Sequence, residues 1–131
     1  MKILQPPNWP RPKGYSNGVS ARGRMIFTAG VVGWDEGQNF NSPDMVEQFA
    51  QALRNVLAIL AEDGAGPMHI VRMTVYVVGI DDYRSNLGAI GQAWKDIMGR
   101  NFPAMALVEV KNLVEPAAVV EIEATAVVED E

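Results

Sequence analysis

The segment AVVEIEATAVV, residues 118–128, decides the fold. Its polar residues fall at alternate positions among β-branched and small apolar ones, the period of a strand with one buried face. Read as a strand from Ala118 to Val128, it turns Ile122, Ala124 and Ala126 to the core and Glu121, Glu123 and Thr125 the other way. Two carboxylates on one face admit two readings: a solvent-facing polar stripe, or an acid/base group in a partly closed pocket that exchanges a proton or orients water.

The neighbouring stretches supply its partners. Residues 70–78, IVRMTVYVV, are rich in β-branched side chains and read as a central strand, with Val71, Met73, Val75 and Val77 on one face and Arg72, Thr74 and Tyr76 on the other. A guanidinium inside such a strand needs a carboxylate, from a glutamate on an adjoining strand or from a ligand. Before this strand, Ser42-Pro43-Asp44 reads as a helix start, with Ser42 capping and Pro43 in the first helical position. Met45, Phe49, Leu53, Val56 and Leu60 then recur with helical period. Gly64, Gly66 and Pro67 end that helix. After the strand, one helix runs from Asp81 or Asp82 to Gly99, with Tyr83, Leu87, Ile90, Trp94 and Ile97 on its apolar stripe.

Pro103 opens a further strand over 104–110. Towards the start of the chain, 18–21 and 24–29 read as short strands, and Val31 to Asn41 as a loop. The Pro-rich stretch Gln5 to Lys13 reads as extended surface chain with Trp9 as a plug. The resulting order, β-β-α-β-α-β-β, predicts a single α+β domain over residues 1–131: a mixed sheet with both helices on one face. The half-polar outer face predicts burial against further copies of the chain.

Composition excludes several function classes. The 131 residues carry 11 Lys and Arg against 16 Asp and Glu, a net charge of −5. That balance argues against a nucleic-acid partner, which needs clustered cations. With no Cys and one His, there is no thiolate nucleophile, and no metal site or other cofactor is expected. No apolar run approaches the roughly 20 residues that span a bilayer, and no secretory signal is visible. The expectation is a cytoplasmic protein with no membrane partner, acting on a small molecule. Tyr15, in a turn between Gly14 and Asn17, offers a hydroxyl to a ligand or packs its ring on the domain. Trp34, in GWDEG, walls a pocket or anchors its own loop. Gly30 stands where a backbone approaches something closely. His69 reads as a surface or capping residue.

Six segments taken together resemble the RidA/YjgF family of small trimeric proteins: GYSNGV (14–19), IFTAGVVG (26–33), QALRNVLAIL (51–60), IVRMTVYV (70–77), NFPAMALVEVKNL (101–113) and VEIEATAV (120–127). The resemblance implies a chorismate-mutase-like fold and a homotrimer whose sheets form an inner barrel, with clefts between neighbouring subunits. It also implies hydrolysis of small enamines and imines to ketones and ammonia. In that pattern the last-strand glutamate, which positions water, matches Glu121, and the aromatic of the Gly-Tyr turn matches Tyr15. Ala29, Gly30 and Val31, together with Trp34, are placed against the substrate.

The chain departs from the pattern at two positions. The family's carboxylate-binding arginine in Pro-Ala-Arg is Met105 here, and a family serine corresponds to Ala29. Arg72 or Arg100 is then the candidate replacement for the anion anchor. QPPNWPRPKGYSNGV, the GWD loop and FPAM resemble members described as 2-aminomuconate deaminases of aromatic degradation. The alternative is a trimer that binds a small metabolite without turning it over. Ribonuclease activity fits poorly with an acidic chain that has no His pair.

Overall fold

The computed structural model describes residues 1–129. Among these residues seven strands and three α-helices follow in chain order: β1 (Lys2–Leu4), β2 (Gly18–Ser20), β3 (Arg24–Phe27), β4 (Val31–Val32), α1 (Met45–Ala61), β5 (Ile70–Val77), α2 (Ile80–Ser85), α3 (Leu87–Met98), β6 (Ala104–Glu109) and β7 (Val120–Val128), with a short 3-10 turn at Pro67–His69. The predicted α+β class holds, with a mixed sheet covered by the two long helices. The closing strand sits at the centre of the sheet. It pairs antiparallel with β5 on one side and with β3 and β4 on the other, while β5 pairs parallel with β6 at the far edge.

The predicted faces of β7 are observed. Ile122, Ala124 and Ala126 are buried, and Glu121, Glu123 and Thr125 are partly open. Across the ladder Tyr76 stands opposite Glu121, Thr74 opposite Glu123 and Arg72 opposite Thr125, so the two polar rows share the outer face. The inner face meets Phe49, Leu53 and Val56 of α1 and Ile90, Trp94 and Met98 of α3 in one apolar core. Each such side chain contributes about 1.5–3 kcal/mol on burial.

Several local expectations are corrected. The cap of α1 is Asp44, whose backbone is extended (φ −73°, ψ 133°) and whose carboxylate accepts from the Glu47 N–H. Ser42 instead accepts from the Asp44 N–H, two residues too early to cap, so Pro43 lies outside the helix. The second helix is two helices. At Asn86 the side-chain amide donates to the Asp82 carbonyl, while the Asn86 N–H turns to Tyr83, so a local side-chain bond displaces a helical one. Leu87, expected on the apolar stripe, is 56% exposed, whereas Ile97 packs against the core beside the buried Met98.

Val31-Val32, expected in a loop, forms β4 and is buried. A strand of two residues carries too little period to be seen in a sequence. β1, also unexpected, pairs with β2 across the Pro-rich segment. Val71 is displaced from the core face by a bulge between Ile70 and Arg72, and Ile70 fills the buried position. Trp9 is exposed and plugs nothing within the chain. His69 caps as expected, with Nδ1 accepting from the Gly66 N–H. No helix among the described residues is long and apolar enough to cross a membrane.

Candidate active site

Glu121 owes its setting to an irregularity on the opposite strand. Phe27 pairs with Thr125 and Val31 with Ile122, so one extra residue is accommodated between β3 and β4. This is a bulge, a device that re-aims side chains next to functional sites. Thr28 fastens it. Its N–H donates to Ala124 O at 2.9 Å, and its hydroxyl donates to Ala29 O and accepts from the Ala124 N–H. The kinked backbone presents Gly30 to the Glu121 side chain. A Cβ at Gly30 would lie 2.6 Å from Oε2 and 2.8 Å from Cδ, so the carboxylate rests where only glycine leaves room.

A cavity of about 560 Å³ opens beside it, lined by Ala29, Gly30, Val31, Trp34, Asn55 and Glu121 among others. Trp34 is held from two directions. The Asn55 amide donates to Val32 O (3.0 Å) and Trp34 O (2.8 Å), and the Phe40 ring packs at 5.7 Å. Asp35 closes the following turn by accepting from the N–H groups of Gly37 and Asn39 and from Asn41. Those bonds, the Asn39 N–H foremost, hold its carboxyl below the usual range. The charged residues of the lining are Asp35, Glu36, Glu115 and Glu121, with no Lys or Arg. Such a cavity favours a cation over an anion.

The second carboxylate has a different task. Tyr76 Oη donates to Glu123 Oε1 at 2.7 Å. This hydrogen bond, with burial and the charges of Glu123 and Glu121, pushes the phenol pKa up. Glu123 is thus engaged within the sheet face, whereas Glu121 faces the cavity.

The structure brings together Glu121, Ala29, Gly30, Val31 and Trp34. The remaining candidates stand apart from them in the chain. Arg72 lies on the outer face in a polar recess with Thr28, Glu123 and Thr125. The ion pair expected for it is absent among the described residues. Its register explains this: Thr125 stands opposite, and the nearest strand glutamate is already taken by Tyr76. Tyr15 is 43% exposed at the far sheet edge. It is held there by Ser16, whose N–H donates to Pro103 O and whose hydroxyl donates to Phe102 O. Met105 stands opposite Met73, on the helix side of β6. Arg100 lines the same groove as Met105. Asn55 was not anticipated. Its one signal is Gln51 four residues earlier, whose amide donates to it on the same helix flank.

A family model described as Endoribonuclease L-PSP matches residues 9–128, nearly the whole chain. The chain belongs to this family, the RidA/YjgF family. A RutC family protein of Synechocystis is 33% identical over 130 residues, covering 97% of this chain and 96% of that protein. A 2-iminobutanoate/2-iminopropanoate deaminase of Salmonella typhimurium is 33% identical over 127 residues, covering 96% and 97%. Among solved structures, a Yersinia pestis protein of the conserved Rid family superposes with a TM-score of 0.86 at 31% identity, over 97% of this chain and 98% of that one. Glu121, on β7, lines the cavity beside Gly30, and Met105, on β6, lines a separate groove.

Proposed function

We propose that this chain hydrolyses small enamines or imines to the corresponding carbonyl compound and ammonia, with Glu121 as the acid/base group. The observation that carries the reading is the Glu121 carboxylate pressed over Gly30 at the wall of a cavity that Trp34 also lines. An enamine protonated at carbon becomes an iminium cation. Water adds to its carbon while Glu121 takes the water's proton; Glu121 then returns that proton to the nitrogen of the carbinolamine, the C–N bond breaks as ammonia leaves, and the hydroxyl proton is lost to solvent as the carbonyl forms. The acidic lining stabilises the iminium, the species with the most positive charge on this path. The name of the Salmonella relative supports the reaction class.

For the substrate we favour a conjugated amino-dicarboxylate such as 2-aminomuconate. Its carboxylates need cations that the Glu121 cavity does not contain, and a homotrimer with clefts between subunits answers that need. In it the edge bearing Tyr15, Met105 and Arg100 would complete the cavity of a neighbouring copy. Ammonia release from 2-aminomuconate and from 2-iminopropanoate generated in solution tests the proposal. Release above the spontaneous rate is expected, and Glu121→Gln should lower it by about 10²–10⁴-fold. Release at the spontaneous rate with both substrates rejects it. Met105 favours a second reading, a trimer that binds a metabolite without turnover; thermal stabilisation by 2-aminomuconate with no ammonia formed would select that one.

A further inference from the structure

Charge is divided unevenly along the chain. The first 34 residues hold five of the 11 Lys and Arg and none of the 16 Asp and Glu. Within that stretch the Pro-rich segment carries Arg11, Lys13 and an aromatic that the core does not use. Trp9 is 59% exposed and stacks on no other ring among the described residues. Arg11 and Lys13 are also exposed and make no ion pair among those residues.

The loop that carries Trp9 is nevertheless firmly built. Pro6 to Trp9 form a tight turn, closed by the Trp9 N–H donating to Pro6 O at 3.3 Å. Pro7 takes the second position and Asn8 the third, with φ 72°, the residue pattern of a type II turn. The Gln5 amide donates to Trp9 O (3.0 Å) and Pro10 O (3.3 Å), and its carbonyl accepts from the Asn17 amide (2.9 Å). Asn17 is two residues from Tyr15, so Trp9 is tied to the sheet edge that bears Tyr15. A side chain held out on a preorganised loop gives up little freedom on docking, and tryptophan is a common anchor of protein interfaces.

A matching surface lies at the cavity beside Glu121. Two of its lining residues, Ile59 and Val114, are 43% and 93% exposed. The same lining contains Glu36 and Glu115, neither of them in an ion pair among the described residues, and no Lys or Arg. We infer that the Pro-rich loop of one copy docks over the mouth of this cavity in the next copy, Trp9 covering Ile59 and Val114 and Arg11 facing Glu36 and Glu115. Apolar surface left bare on both sides and opposite charge on the two sides give this contact its partner, a second copy of the chain. The inference rests on the proposed homotrimer and adds the loop that closes its cleft.

Cross-linking in the full chain, which has no cysteine of its own, tests it. Pro10→Cys and Pro116→Cys place thiols on exposed residues beside the two surfaces and leave Trp9 and Val114 in place. With a short bis-maleimide at micromolar protein, the double variant should give covalent dimers and trimers on a denaturing gel, and each single variant neither. Adding Trp9→Ala or Arg11→Glu should slow the linking by about tenfold or more, and Trp9→Ala alone should raise the dissociation constant of the particle by a similar factor in sedimentation. Three chains per particle with no covalent ladder, a ladder matched by a single variant, or linking and dissociation indifferent to Trp9→Ala overturns the inference and leaves the homotrimer standing. One chain per particle overturns both.

Discussion

At Gly30 a single hydrogen atom faces the Glu121 carboxylate, and a methyl group would stand 2.6 Å from Oε2. The obstructing atoms are the far end of a flexible side chain, so Gly30→Ala should move the carboxylate rather than unfold the chain. Ammonia release is expected to fall about 100-fold, the effect of a misplacement near 1 Å, with the thermal midpoint within a few degrees of the parent. The assay and a melt together check this. Tyr76 gives a second prediction at this scale. Its phenol is raised above the ordinary pKa of about 10 because it donates to Glu123. A raised acid favours the native state below the unfolded pKa, and that contribution is lost as pH rises through the native one. Absorbance titration at alkaline pH should show Tyr76 ionising late, and Glu123→Gln should bring it earlier. The sequence period put both carboxylates on one face, but it could not say which is free. That depends on the register, which sets Tyr76 within reach of Glu123 and leaves Arg72 opposite Thr125.

Elements of this fold are fixed to one another by polar side chains as well as by the core. Gln48 is 1% exposed on α1. Its amide donates to Ser42 O (3.0 Å) and Ala117 O (2.9 Å), and its carbonyl accepts from the Val119 N–H (2.8 Å), tying the helix to the lead-in of β7. Gln48→Ala strands these backbone groups away from water, at about 1–3 kcal/mol for each one left unsatisfied. Chemical denaturation should show a loss of more than 2 kcal/mol, well beyond the order of 1 kcal/mol expected for removing the Asp44 cap in Asp44→Ala. Long elements such as α1, β5 and β7 were legible because many side chains repeat one period. The rest turned on single local bonds. The Asn86 amide splits the second helix, Asp44 outcompetes Ser42 as cap, and the Thr28 bulge lets Val31-Val32 rejoin the sheet. Gln48 and Asn55 sit beside apolar stripes, and their partners lie far away in sequence.

In the whole molecule, the outer sheet face joins the polar rows of β5 and β7 to apolar residues that nothing among the described residues covers. Phe27 is 66% exposed on β3, and Val108 is 44% exposed on β6. Uncovered apolar side chains beside an arginine with no ion pair among the described residues support association through this face, and in the proposed homotrimer the two halves of the candidate site meet between copies. Mixing inactive chains separates that arrangement from a site contained in one chain. Glu121→Gln and Tyr15→Phe are each expected to lower ammonia release when assayed alone. If a cleft takes Glu121 from one copy and Tyr15 from the next, a mixed trimer regains whole clefts wherever a Tyr15→Phe chain supplies Glu121 and a Glu121→Gln chain supplies Tyr15. Random assembly from equal amounts, after unfolding and refolding together, restores about one quarter of the parent clefts. Sedimentation velocity of the parent should show three chains per particle at micromolar concentration. Activity that stays at the mean of the two variants, or a parent that sediments as one chain, would place the whole site within a single copy.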